Sequence, residues 1–119
     1  MYNHMVAVIA DSTDMDRIFA ALADATRRDI LTRALRTGSS VSALARQYAM
    51  SFAAVQKHVA VLERAGLVTK ERHGREQIVR GHVDTIRAAT RLLAEYEEIW
   101  RGRIDRMDEI LATSPEGEP

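Results

Sequence analysis

The sequence predicts a mainly α fold carrying one small β-hairpin. Three observations predict it. Four stretches space their apolar residues as helices do, and Ser, Thr or Asp stands before each. Residues 67–80 change rhythm and read as two short strands around a glycine. From Val83 to Ala112 apolar residues again recur every three or four positions without a break. The 119 residues suit one ordinary domain, and with 46% hydrophobic and 29% charged residues a globular fold is expected. Aromatics are only 5%, so aliphatic side chains must build the core.

The first helix is expected from about Asp14 to Ala23, capped by Ser12 or Thr13, with Met15, Ile18, Phe19 and Leu22 on its apolar stripe. Asp24 caps a second helix whose stripe is Ile30, Leu31, Ala34 and Leu35, and Gly38 ends it. Ser40 or Ser42 opens a short third helix with Leu44, Ala45 and Tyr48. Ser51 caps a fourth, from Phe52 to about Ala65, closed by Gly66. Leu67–Arg72 and Glu76–Arg80 form the hairpin around His73-Gly74-Arg75. The expected organisation is an N-terminal arm (1–13), a helix-turn-helix with its hairpin (14–82), a long C-terminal helix (83–112) and a disordered tail (113–119).

The formal net charge is zero, but the charges are segregated. Residues 1–16 hold three acids and no base, residues 17–91 hold 14 bases against 6 acids, and residues 92–119 hold 3 bases against 8 acids. A basic middle between acidic ends fits a polyanionic partner for the middle; the bland alternative is solvated helix faces.

Two short helices, a turn and a hairpin make a winged helix-turn-helix. In the fourth helix Val55, Val59 and Leu62 share the core side. Phe52, Ala53, Gln56, Lys57 and Ala60 share the other, which carries no acid before Glu63. A helix that enters the major groove of double-stranded DNA needs such a face near its N-terminus. Ser51 and the first backbone N–H groups suit a phosphate oxygen. Gln56 suits an adenine edge, and Lys57 a guanine or a phosphate. On the hairpin, Lys70, Arg72, His73, Arg75 and Arg80 cluster at the turn, with Arg72, His73 and Arg75 the expected DNA contacts. The alternative is an edge kept soluble by charge.

The strings LADATRRDIL (22–31) and SFAAVQKHVAVLERAGLV (51–68) resemble the ArsR-type repressor family, and the likeness runs from about Asp14 to Arg80. The tail around Tyr96, Trp100 and Arg103 resembles a Cys-free, non-metal-sensing branch. Ala25 stands where the family often has Pro, and Ala49 where it often has Gly. The resemblance implies a homodimer that represses its promoter by binding an inverted repeat. It also implies base contacts from Phe52, Ala53, Gln56 and Lys57, and places His58 beside the buried face as a packing or phosphate-bonding residue.

The chain has no Cys, which excludes disulfides and thiolate metal sites. Its four His are scattered, none lies between Asp84 and Ala112, and only His4 with Asp11 or Asp14 could make a weak site across a dimer. No metal and no cofactor are therefore expected. Neither is enzymatic activity: there is no phosphate-binding glycine loop and no nucleophile beside a His. No apolar run approaches membrane-spanning length, so no membrane partner and a cytoplasmic place are expected.

In the last helix Ile86, Ala89, Leu93, Tyr96, Trp100, Ile104, Met107 and Leu111 form a seam. At 1.5 Å per residue this helix is about 40 Å long, more than so small a domain covers. Its excess is expected to pair with a second copy, aided by the first helix. The expected dimer contacts are Ile18, Leu93, Tyr96, Trp100, Met107 and Leu111. Arg91–Glu95, Glu97–Arg101 and Arg101–Asp105 can brace its outer side. A ligand pocket lined by Tyr96, Trp100 and Met107 is the less favoured use, and an unidentified small-molecule or protein effector is compatible with the pattern. Two further readings stay open: a winged-helix module for protein–protein contact, and a metal-responsive repressor with His and carboxylate ligands.

Overall fold

The computed structural model describes residues 14–112. Residues 14–22 are helical (α1), followed by α2 (Ala25–Arg36), β1 (Ser39–Ser40), α3 (Val41–Ala45), α4 (Phe52–Arg64), β2 (Val68–His73), β3 (Glu76–Gly81) and α5 (Val83–Ala112). The expected mainly α fold with one hairpin is present. The expected cap at Ser12 or Thr13, the arm and the tail lie outside the described residues.

The caps explain the boundaries. The Asp24 carboxylate accepts from the Arg27 N–H at 3.0 Å, Ser40 Oγ from Ala43 at 3.0 Å and Ser51 Oγ from Ala54 at 3.1 Å. Each satisfies a donor that the first helical turn leaves open, worth about 1 kcal/mol. Ser40, not Ser42, is therefore the cap of α3. That helix stops at Ala45, so Tyr48 lies beyond it in the turn.

At the end of α4, Gly66 N–H donates to Glu63 O (2.9 Å) and Leu67 N–H to Leu62 O (3.0 Å). This paired closure needs a left-handed residue, and Gly66 has φ +76°. Leu62 and Leu67, both wholly buried, complete it. The chain thus leaves the helix aimed directly into β2. Thr85 Oγ1 donates to Gly66 O at 2.6 Å and ties the start of α5 to the same corner.

The hairpin closes on the pair His73↔Glu76, so its turn is the two residues Gly74-Arg75 and not the three expected. Gly at the first central position with positive φ is the pattern of a type II′ turn, which matches the twist of paired strands. β1 was not anticipated. It adds an antiparallel edge to β3 (Ser39↔Val79, Ser40↔Ile78), giving the order β1-β3-β2. Two residues are too few to show alternation, so only a partner strand in space defines them.

The core is aliphatic, as composition required. Ile30, Leu44, Val55, Val59, Leu62, Leu67, Val68 and Val79 are each less than 2% exposed. Leu35 departs from the expected stripe and is half-exposed, yet it lies against Gly81, where any added side chain would overlap it. That close approach seats α2 on β3 and holds the hairpin beside the helices.

The chain divides into two compact units between Ile86 and Arg87. In the second, α5 leaves Leu93, Tyr96, Ile99, Trp100, Met107, Ile110 and Leu111 more than half exposed. Of the three expected braces, Glu97–Arg101 is formed at 3.5 Å. The other two place the base N-terminal to the acid, the weaker order in a helix, and are not formed. The Arg103 guanidinium lies 5.8 Å from the Trp100 ring centre.

Candidate nucleic-acid interface

Burial of Val55, Val59 and Leu62 turns the opposite side of α4 outward. Ser51, Phe52, Ala53, Gln56 and Lys57 are all exposed there, and Phe52 is an aromatic 47% exposed. Ser51 spends its oxygen on the cap, which leaves its hydroxyl hydrogen to donate outward.

The wing's cations divide into two groups. Lys70 is held by Glu63 at 3.3 Å, and Arg80 lies 3.7 Å from Glu71. His73 is also spent on Glu71, at 3.3 Å. Arg72 bonds only the Gly74 carbonyl, at 3.4 Å. Among the described residues, Lys57, Arg72 and Arg75 have no carboxylate partner within 4.0 Å. Of the five basic wing residues in the expected cluster, Arg72 and Arg75 remain open to an anion.

Helix and wing meet in one groove of about 250 Å³, lined by Phe52 and Gln56 of α4, Arg72, Arg75 and Gln77 of the hairpin, and Ser42 of α3. Glu76 lines it too. Four of the expected contacts are thus brought together, and Ala53 and Lys57 stand on the same exposed side of α4. Ser42, Glu76 and Gln77 were missed. Gln77 was discoverable: a two-residue turn sets it opposite Arg72.

Tyr48 ties the turn between α3 and α4 to α2. Its O–H donates to Asp29 Oδ2 at 2.5 Å, and Arg33 Nε donates to the same oxygen at 2.9 Å. The Arg33 guanidinium lies 5.8 Å from the Tyr48 ring centre. The bond from Tyr48, then that from Arg33, holds the Asp29 carboxyl below its ordinary value. Burial, then the bond to Asp29, pushes the Tyr48 phenol up to about 12. A raised phenol stabilises the fold fully below pH 10, and that contribution is lost as pH rises toward 12. Tyr48→Phe is expected to cost about 1 kcal/mol at neutral pH. It should also flatten the fall in stability between pH 10 and 12, read by urea unfolding at several pH values.

Ile18, an expected dimer contact, is only 3% exposed and is covered within its own chain, whereas Phe19 beside it is 38% exposed. Leu93, Tyr96, Trp100, Met107 and Leu111 are all exposed on α5. His58 faces Arg27 and Asp24 at the α1–α2 junction. Among the described residues no three His, Asp or Glu side chains gather as metal ligands, and no helix is long and apolar enough to cross a membrane. His4 and Asp11 lie outside those residues.

A family model described as a helix-turn-helix domain matches residues 22–71. Comparison with curated proteins returns no match. Among solved structures, the chain is similar to an ArsR family transcriptional regulator (33% identity, TM-score 0.72), over 76% of this chain and 93% of that one. It is also similar to an ArsR-like transcriptional regulator from Rhodococcus sp. RHA1 (32% identity, TM-score 0.73), over 83% and 93% of the two chains. A homodimeric winged helix-turn-helix DNA-binding domain from Mycobacterium bovis shares the fold at 24% identity and TM-score 0.60, over 78% and 84%.

Proposed function

The chain belongs to the ArsR family of winged helix-turn-helix, DNA-binding transcriptional regulators, and from that premise we propose that it is a homodimeric repressor of an inverted-repeat operator. Regulators of this family are not enzymes. The observation that carries the reading is the groove where Phe52 and Gln56 of α4 meet the unpaired Arg72 and Arg75 of the wing. Gln56 reads an adenine edge, Phe52 and Ala53 meet thymine methyl groups, and Lys57 takes a guanine or a phosphate. Ser51 donates to the phosphate at the helix N-terminus. Arg72 and Arg75 follow the backbone beside the groove, and His73 joins them only by leaving Glu71.

The exposed face of α5 supports a second copy as its occupant. Leu93, Tyr96, Trp100, Met107 and Leu111 line it at seam spacing over a helix of 30 residues. Ile18, already covered, serves to seat α1. A two-fold axis sets the two reading helices about 34 Å apart, in successive major grooves. A small-molecule or protein effector that changes this distance would release the operator, and the site of action is the cytoplasm.

Fluorescence anisotropy with the duplex upstream of the protein's own gene tests the reading. Three open cations per protomer, Lys57, Arg72 and Arg75, make six in a dimer. With Lys57 on phosphate these make six phosphate contacts, and affinity falls about a thousandfold between 50 and 200 mM salt; with Lys57 on guanine the fall is shallower. Absent binding, or binding indifferent to salt, would favour a protein–protein module.

A further inference from the structure

We propose that Arg27 is a positioning residue for DNA reading, locking α4 to the end of α1 through His58; the inference rests on α4 being the helix that reads DNA. The Arg27 guanidinium is spent inside the protein. Nε donates to Ala21 O at 2.8 Å and Nη2 to Ala20 O at 3.1 Å, both in the last turn of α1. Nη1 lies 3.4 Å from His58 Nδ1 on α4. The backbone N–H of Arg27 takes the Asp24 carboxylate that caps α2, and that carboxylate lies 3.9 Å from the same Nδ1. One planar group therefore joins three helices.

The chemistry sets the direction of each bond. A guanidinium has donors only, so in its bond with Arg27 Nη1 the His58 Nδ1 is the acceptor. The last carbonyls of a helix lack donors within it; Ala20 O also accepts from the Ala23 N–H at 3.2 Å, while Ala21 O takes its donor from Arg27. His58 follows Gln56 and Lys57 directly, so any tilt of α4 at His58 displaces both. Burying Val55, Val59 and Leu62 sets which side of α4 faces the core, and a directed polar contact at His58 adds a constraint on its tilt. A lysine would put one point charge where three directed donors are needed. Arg27 lies within the basic part of the chain, yet this geometry makes it an internal brace and not a phosphate contact.

The test compares Arg27→Ala, His58→Ala, the double variant and Arg27→Lys by anisotropy on the operator and on a scrambled duplex, with thermal unfolding alongside. Arg27→Ala is expected to weaken operator binding at least tenfold while scrambled-duplex binding stays within twofold, because Lys57, Arg72 and Arg75 are untouched. The double variant should be no worse than Arg27→Ala, since both remove one coupling. Arg27→Lys should fall between wild type and Arg27→Ala. If Arg27→Ala does not fold, the same selectivity loss is required of His58→Ala and a smaller one of Arg27→Lys. Equal losses on both duplexes, losses that multiply in the double variant, or unchanged selectivity would each overturn the inference. Wild-type protein that fails to bind DNA defeats the DNA reading itself; a selective wild type beside an equally selective Arg27→Ala defeats only this inference.

Discussion

Trp100→Glu is expected to turn the proposed dimer into monomers and to weaken operator binding by a hundredfold or more. Trp100 is 56% exposed in the single chain, so the substitution removes little that the protomer itself uses. In a seam it would place a charge amid Tyr96, Met107 and Leu111, where burial of an unpaired carboxylate is costly. The operator effect follows from linkage. Two half-sites joined in one dimer bind at high effective concentration, and separating them forfeits about two to four powers of ten. Sedimentation velocity reads the first effect and anisotropy the second. An unchanged dimer would remove α5 as the seam, and a monomer that retained full operator affinity would remove the need for one.

Replacing Gln56 and Lys57 together by Ala should abolish discrimination between operator and scrambled DNA while leaving the dimer intact. A bidentate contact to a base edge is worth about 1–3 kcal/mol, and a symmetric dimer makes each contact twice. The selectivity ratio should therefore fall by about two powers of ten or more. The two residues differ in kind. Gln56 carries no charge, so its loss alone should leave the salt dependence unchanged. Loss of Lys57 should lessen it if that side chain rests on phosphate. Both are exposed and neither supports the core, so unfolding cannot stand in for the effect. Retained selectivity in the double variant would move the reading surface off this face of α4.

Much of the fold was legible because its signals are local. Asp24, Ser40 and Ser51 each bond a backbone N–H three residues on. Gly66 closes α4 with its immediate neighbours, so a short string suffices to place that end. Three features escaped for the opposite reason. β1 exists only against Val79 and Ile78, far along the chain. Tyr48 looked like a helical position but is held by Asp29, nineteen residues away. Arg27 reaches His58 across thirty-one residues, and no periodicity announces such a bond.

By itself the sequence determined the order of the helices, the hairpin and the exposed face of α4. Caps and apolar spacing act within about four residues, so the string contains both ends of each interaction. Only the tertiary structure decided which cations stay open to DNA. Lys70 and Arg80 are drawn to Glu63 and Glu71, while Arg72 and Arg75 keep their charge free beside Phe52 and Gln56. A charge takes its partner from whatever folding brings near, and that neighbourhood is set by packing and strand register, not by spacing along the chain.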